Sequence, residues 1–118
     1  MTKSKLPIPT EYEECVMLAN YLTLKEVLFS HLAQETFTRS WGIKMKNKRM
    51  GVNPGVPDYI IITPKGLLFI EMKRSKGGKV SPEQQSWINE LNVFEDVEAV
   101  VAHGFDEAVE ILKTCGIK

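Results

Sequence analysis

Residues 57–73 constrain the fold of this chain more than any other segment. Two apolar runs, at 59–63 and 67–73, are separated by a Pro-Lys-Gly turn at 64–66. The first run is β-branched, and Pro with Gly favours a tight turn, so the segment predicts an antiparallel hairpin. The second run is apolar on both faces up to residue 71, which is typical of a strand in the centre of a sheet.

Two carboxylates and a lysine stand at one end of this predicted hairpin. Side chains two apart on a strand share a face, so Glu71 and Lys73 project together and Met72 points away. The turn brings Asp58, which opens the first strand, close to residue 72. Asp58 and Glu71 therefore come within reach of one cation.

This arrangement supports two interpretations. Hard carboxylate oxygens are what Mg²⁺ prefers, and an adjacent lysine can orient or deprotonate a water or stabilise charge on a phosphoryl group. Alternatively, Glu71 and Lys73 form an ordinary surface ion pair worth ~0–1 kcal/mol, and Asp58 is a cap-like acid. The local geometry alone leaves both open.

The charge distribution is compatible with a nucleic-acid partner, although a run of charges is more often only solvated surface. Net charge is zero, yet ten of the fifteen Lys and Arg lie between residues 36 and 82, where Asp58 and Glu71 are the only acids. From Glu83 onward there are eight acids and two bases. A neutral total can thus hide a basic face that attracts a polyanion.

The bulk properties indicate one cytoplasmic domain. A chain of 118 residues, 43% hydrophobic, suits a single compact core. No apolar run approaches the ~20 residues that span a bilayer, and the N-terminus has no secretory signal pattern. Cys15 and Cys115 lack metal-type spacing and are expected to be reduced thiols in a cytoplasmic protein. The protein would be of phage or bacterial type, and a phage-encoded protein would act in the cytoplasm of its host.

The elements along the chain predict a mixed α/β fold. Thr10 with Glu13 forms a capping box before a helix whose apolar stripe includes Val16, Leu18 and Leu22, and Ser81-Pro82 begins another helix. The remaining predicted elements are a strand at 25–31, a basic helix at 39–50, a strand at 97–102 and a helix at 106–114. The order α, β, α, β, β, α, β, α predicts a mixed sheet of about four strands with flanking helices. Residues 1–9 are expected to form a flexible arm and 10–118 the domain, with Trp41 and Trp87 in the core.

Pro57-Asp58 followed by Glu-Met-Lys at 71–73 resembles the PD-(D/E)xK nuclease signature. More narrowly, GVNPGVPD at 51–58, EMK at 71–73 and SPEQQSW at 81–87 resemble the VRR-NUC branch, the virus-type replication-repair nucleases. Segments 31–35 and 46–51 resemble the small stand-alone phage and bacterial members of that group. The resemblance covers roughly residues 10–112 and implies a single-domain, restriction-endonuclease-like α/β fold.

The resemblance also implies roles for the hairpin residues and their neighbours. Asp58 and Glu71 would ligate the metal, together with the carbonyl of Met72, and Lys73 would serve the nucleophilic water. Gln84 would reach the site from its helix. Gln84 also fits a capping box, and we expect its side chain to choose one of these two partners.

A first-helix glutamate is the remaining ligand that the resemblance implies. Glu11 fits the alignment best, with Glu14 one turn later as the rival, and either acid could instead simply favour a helix N-terminus. His31, at the end of a predicted strand, is a possible site or DNA contact, although a lone histidine is more often structural.

The function that the resemblance implies is a Mg²⁺- or Mn²⁺-dependent DNA endonuclease. The preferred substrate would be branched DNA such as a Holliday junction, the protein would be a homodimer, and no membrane would be involved. The candidate DNA-binding residues are Lys46, Lys48, Arg49, Arg74, Lys76 and Lys79. Rival readings are an inactive or accessory nucleic-acid-binding module, a restriction-type nuclease, and a nuclease on flaps or plain duplex DNA.

Overall fold

The computed structural model describes residues 7–32 and 40–118. The helices are α1 (Glu11–Leu24), α2 (Trp41–Arg49), α3 (Pro82–Leu91) and α4 (Phe105–Thr114). The strands are β1 (Phe29–His31), β2 (Tyr59–Thr63), β3 (Gly66–Lys73) and β4 (Val97–His103). The order along the chain is the predicted one. Residues 1–6 of the predicted arm, and residues 33–39, lie outside the described part.

The four strands form one mixed sheet in the order β1-β2-β3-β4. The β1–β2 and β2–β3 pairs are antiparallel, and β3 pairs with β4 in parallel. A parallel pair needs a crossover connection, which α3 provides between β3 and β4. The predicted mixed α/β fold is confirmed, with β3 as one of the two central strands.

The β2–β3 hairpin has the register that brings the predicted site together. Tyr59 pairs with Ile70 and Thr63 with Gly66. Continued by one residue, this register sets Asp58 level with Glu71, one position from the predicted level of residue 72. The end of the hairpin is therefore where the two carboxylates meet.

The core lies between the sheet and the helices α1 and α4. Its fully buried members include Leu18, Leu22, Ile61, Leu68, Ile70, Met72, Ala108 and Leu112. The predicted apolar stripe of α1 is correct for Leu18 and Leu22 but wrong for Val16, which is exposed. Glu14 takes the buried position in that turn instead, because the start of α4 supplies its carboxylate with a backbone donor.

The loop before Asp58 is held tightly against the start of α3. The Trp87 indole N–H donates to the Pro54 carbonyl at 3.1 Å. A Cβ at Gly55 would lie 2.6 Å from the Glu83 carbonyl carbon and 2.8 Å from the Gln84 nitrogen. The glycine therefore permits a close approach of two backbones. The expectation of a core Trp87 is replaced by a half-buried ring that bridges loop and helix.

Helix α2 differs most from expectation. It has no buried residue, and Trp41, which we expected in the core, is 73% exposed. The reason is that Lys44, Lys46 and Lys48 fan around the helix, so no continuous apolar face exists to be buried. The bases at its last turn complement the negative end of the helix dipole.

Strand β1 is shorter than the predicted 25–31. Helix α1 continues to Leu24, and Glu26 adopts a positive φ of 56° in the turn that follows. Only Phe29–His31 remain to pair with β2. The sequence pattern of this segment is compatible with either element, and the continuation of α1 decides the outcome.

The two loop glycines 51 and 55 provide a matched pair for testing the contact between the loop and α3. Both have positive φ, but no atom of the described residues lies within 4 Å of a Cβ at Gly51. Gly51→Ala should cost about 1–2 kcal/mol of unfolding free energy from backbone strain alone. Gly55→Ala should cost a further ~1–3 kcal/mol because its Cβ meets the α3 backbone. Urea denaturation measures both; equal losses would contradict the close approach.

Candidate metal centre

Three elements each deliver one carboxylate to the same cleft. Glu11 is the first residue of α1, Asp58 directly precedes β2, and Glu71 lies near the end of β3. Each offers an oxygen, and the three oxygens lie within 4.8 Å of one another. The Thr10 capping box fixes where α1 begins, and the buried Pro57 fixes the entry to β2. Local sequence thus sets the point at which each acid emerges.

Asp58 is fixed by the backbone of the neighbouring strand. Its Oδ2 accepts the Met72 N–H at 2.8 Å. Burial raises the pKa of Asp58, while this hydrogen bond and the nearby Lys73 ammonium act in the opposite direction. The Met72 side chain is fully buried on the other face of the sheet, as predicted. Its carbonyl as a ligand stays a prediction.

Glu71 is the most strongly perturbed acid of the cluster. It is 3% exposed, and burial, followed by the charge of Asp58, raises its pKa to about 7. Burial and Asp58 raise the pKa of Glu11 as well. The charge of Asp58 thus raises the pKa of both other acids, and a bound cation would relieve this repulsion between like charges. Clustered hard oxygens of this kind fit a divalent cation such as Mg²⁺.

Lys73 supplies the one ammonium next to these acids among the described residues that line the cleft. Its Nζ lies 3.4 Å from Glu71 Oε2, and its side chain is 11% exposed. A Cβ at Gly78 would lie 2.7 Å from the Lys73 Cβ, so this glycine lets the following loop cover the lysine stem. The lysine is thereby held over the carboxylates, with its ammonium at the cleft.

Gln84 contacts both of its predicted partners at once. Its Oε1 accepts the Ser81 backbone N–H at 2.9 Å, and its Nε2 donates to Glu71 Oε2 at 3.0 Å. The expectation that the side chain would choose one partner is wrong, because an amide has an acceptor end and a donor end. The capping box itself aims the donor end at Glu71.

The cleft that holds these groups has a volume of about 360 Å³. His31 and Leu32 line it together with the loop at 54–56. The His31 ring meets the Tyr59 ring edge-on, with centroids 4.9 Å apart. His31 is therefore placed at the cleft wall, and its role as a contact stays a prediction.

Glu14, the rival of Glu11, is turned elsewhere. It is 6% exposed, and its Oε1 accepts the Phe105 N–H at 3.1 Å. It thus provides the hydrogen-bond acceptor for a backbone N–H at the start of α4, where the N-cap residue Gly104 has no side chain to do so. Helical spacing gave no signal for this, since residues 11 and 14 lie three apart on one helix. The structure groups Glu11 with Asp58 and Glu71, and it does not group Glu14 with them.

The six candidate DNA-binding residues are all exposed. Lys46, Lys48 and Arg49 lie in the last turn of α2. Arg74, Lys76 and Lys79 lie in the loop between β3 and α3. Within residues 7–32 and 40–118 these side chains are accessible to a polyanion, and their role in binding stays a prediction. Of the upstream segment 31–35, residues 33–35 lie outside the described part.

The family model of the VRR-NUC domain matches residues 5–106. The chain belongs to the VRR-NUC domain family. The match contains the GVNPGVPD, EMK and SPEQQSW motifs, so the resemblance read from the sequence is confirmed. VRR-NUC membership gives the chain a nuclease-type fold, in a family that commonly uses divalent metals.

Two solved structures are similar over nearly the whole chain. One, described as a VRR_NUC domain protein, has a TM-score of 0.74 and 27% identity, covering 94% of this chain and 91% of that one. Another, described as a VRR_NUC domain, has a TM-score of 0.63 and 17% identity, covering 89% of this chain and 97% of that one. The second supports the fold alone. No curated protein matches the chain. No helix within 7–32 or 40–118 is long and apolar enough to cross a membrane.

The raised pKa of Glu71 predicts a pH dependence of stability. The pKa is about 7 in the folded protein and 4.5 ordinarily, so between these values the folded state holds more protons than the unfolded state. In chelator, the free energy of unfolding should fall as the pH rises from 4.5 to 7 and this contribution should be lost above that range. Glu71→Gln should flatten the fall.

Chemical denaturation at several pH values between 5 and 8 measures this effect. Glu90→Gln, an exposed α3 acid, controls for the loss of one carboxylate. Parallel pH profiles for the wild type and Glu71→Gln would contradict a proton held at Glu71.

Proposed function

We propose that this VRR-NUC protein is a metal-dependent DNA endonuclease that hydrolyses phosphodiester bonds, with branched DNA such as a Holliday junction as its preferred substrate. The observation that carries the proposal is one cluster: three carboxylates from three elements, next to a shielded lysine. A structural ion pair would need one acid for one base. Two further acids lie close to this pair, and they would serve as ligands when a cation and a phosphate enter the cleft.

The carboxylates of Glu11, Asp58 and Glu71 would hold the cation, with the Met72 carbonyl as a further ligand. When bound, Mg²⁺ or Mn²⁺ supplies Lewis-acid stabilisation of the charge that develops on the phosphoryl group. Gln84 keeps one Glu71 oxygen oriented through its amide donor. Asp58, through the Met72 N–H, and Glu71, through Gln84, are thus oriented before the substrate arrives, which reduces the reorganisation that the reaction requires.

Lys73 is the residue that acts on the attacking water. An ammonium beside the carboxylates can donate a hydrogen bond that orients the water in line with the scissile bond. It can also offset negative charge on the phosphate in the transition state. The loop glycine at position 78 leaves room for the lysine stem, so the ammonium is positioned by packing.

The substrate would be gripped through its phosphates. Exposed bases lie on α2 and in the 74–79 loop, and such contacts position a duplex without reading its sequence. Branched DNA with two equivalent strands requires two sites, and we propose a homodimer with two-fold symmetry to provide them. The exposed Trp41 at the start of α2 and the exposed Met50 directly after its end support a contact with a second copy.

Cleavage of labelled four-way junction, flap, splayed-arm and plain duplex DNA in Mg²⁺ or Mn²⁺ tests the proposal. The wild type should cut the junction most efficiently and lose activity in chelator. Asp58→Ala and Lys73→Ala should each lower the rate at least ~100-fold, since they remove a ligand and the group that orients the water. Glu95→Ala, an exposed acid near the far end of the sheet, should leave the rate unchanged.

The substrate panel separates the rival functions. Stronger cutting of flaps or plain duplex would replace the junction preference and keep the nuclease. No cutting of any substrate, with equal DNA binding by the wild type and both variants, would overturn the enzyme and leave an accessory binding module.

Phosphate contacts predict the salt dependence of DNA binding. Replacing Lys76 by Ala should weaken binding to every substrate alike and lower the slope of log affinity against log salt by ~1, because one counterion fewer is released. Lys113→Ala, at an exposed position of α4, is the matched control. Fluorescence anisotropy between low and moderate salt measures the slopes, and equal slopes for Lys76→Ala and wild type would remove Lys76 from the interface.

A further inference from the structure

The turn between β4 and α4 contacts two elements that carry proposed metal ligands, β3 and α1. The Gly104 N–H donates to the Lys73 carbonyl at 3.0 Å. The next N–H, of Phe105, donates to Glu14 Oε1 at 3.1 Å. Lys73 ends the strand that carries Glu71, and Glu14 lies on the helix that begins with Glu11. Two successive backbone donors therefore connect the two elements.

Glu14 is an unusual residue for this position. Its carboxylate is 6% exposed, and Oε2 has no hydrogen-bond partner within residues 7–32 and 40–118. Burying a half-satisfied carboxylate opposes folding. Its favourable contact is with the positive end of α4, whose N-cap residue has no side chain to offer.

Gly104 is required for this contact. It has φ of 96°, and a Cβ there would lie 2.8 Å from Glu14 Oε2 and 3.1 Å from the Ser75 Cβ. A side chain would push the carboxylate away or displace the segment that follows Lys73. The close approach of Glu14 to the turn thus depends on glycine.

The contact of Glu14 with the β4–α4 turn also determines the position of Glu11. Residues three apart on a helix lie one above the other, so fixing Glu14 fixes the rotation and the height of the first turn of α1. A second anchor acts nearby, because the Tyr59 hydroxyl donates to the Cys15 carbonyl at 3.1 Å. Tyr59 follows Asp58 directly. Helix α1 is thereby connected to β2, which directly follows Asp58, and to β3, which carries Glu71.

We infer that Glu14 is a positioning residue: through the β4–α4 turn it holds Glu11 in register with Asp58 and Glu71. The inference rests on the proposed function, since it takes Glu11 as a metal ligand. It separates the two first-helix acids by role. Glu11 would bind the cation, and Glu14 would set where Glu11 stands.

Mn²⁺ affinity, measured by calorimetry without DNA, tests this inference independently of cleavage. Glu14→Ala should weaken Mn²⁺ binding about tenfold. Glu14→Gln should recover most of that loss, because its amide oxygen can still accept the Phe105 N–H. Gly104→Ala, which obstructs the same contact, should reproduce the loss and serves as the second variant if Glu14→Ala does not fold.

A double-mutant cycle distinguishes positioning from general destabilisation. In the Glu11→Gln background, Glu14→Ala and Gly104→Ala should cause less than about a twofold further loss, since the positioned ligand is already gone. Asn92→Ala is the control for lost stability: it removes the two side-chain hydrogen bonds to the Ala99 backbone, away from the cleft, and should leave Mn²⁺ affinity unchanged.

The outcomes separate this inference from the proposed function. If Asp58→Ala leaves Mn²⁺ affinity intact, the metal centre itself is wrong. If Asp58→Ala removes binding but Glu14→Ala and Gly104→Ala bind like the wild type, or lose as much with Glu11→Gln as without it, the positioning role is overturned and the metal centre remains. Failure of Glu14→Gln to recover affinity would also overturn it, because the hydrogen bond would not be what positions α1.

Discussion

Repulsion between neighbouring carboxylates is what the elements around the cleft have to oppose. Glu11, Asp58 and Glu71 offer oxygens within 4.8 Å of one another in a cleft where burial raises the pKa of each. Left to themselves, such groups would separate or take up protons. The fold must hold them together, and the elements around the cleft each contribute a specific restraint.

The restraints come from different levels of the structure. The hairpin register gives Asp58 the Met72 N–H, and the capping box of α3 turns the Gln84 amide toward Glu71. The close approach of Gly55 to α3 fixes the loop that leads into Asp58. Gly78 leaves room over Lys73. Binding of a cation would convert the repulsion into ligation without large movement, which is how a preorganised site favours its reaction.

The part of the site that was predictable from the sequence is the part that local geometry determines. Strand alternation places Glu71 and Lys73 on one face, and a tight turn brings Asp58 level with them. The starts of α1 and α3 were predicted from the capping boxes at Thr10 and Ser81. These patterns involve only residues that are close together in the sequence, so they do not depend on how distant segments pack.

The remaining features depend on contacts between distant segments. Glu11 and Glu14 could not be separated, because the packing of α1 on α4 decides which acid faces the cleft and the donor, Phe105, lies 91 residues from Glu14. Trp41 was expected in the core on its residue type, yet the bases around α2 prevent burial of that helix.

Anomalous diffraction from crystals soaked in Mn²⁺ would show whether the three carboxylates form one metal site. We expect a peak in the cleft about 2–2.6 Å from an oxygen of each of Glu11, Asp58 and Glu71. A peak near Glu14 in place of Glu11, or no peak at the cluster while Mn²⁺ binds elsewhere on the protein, would contradict it.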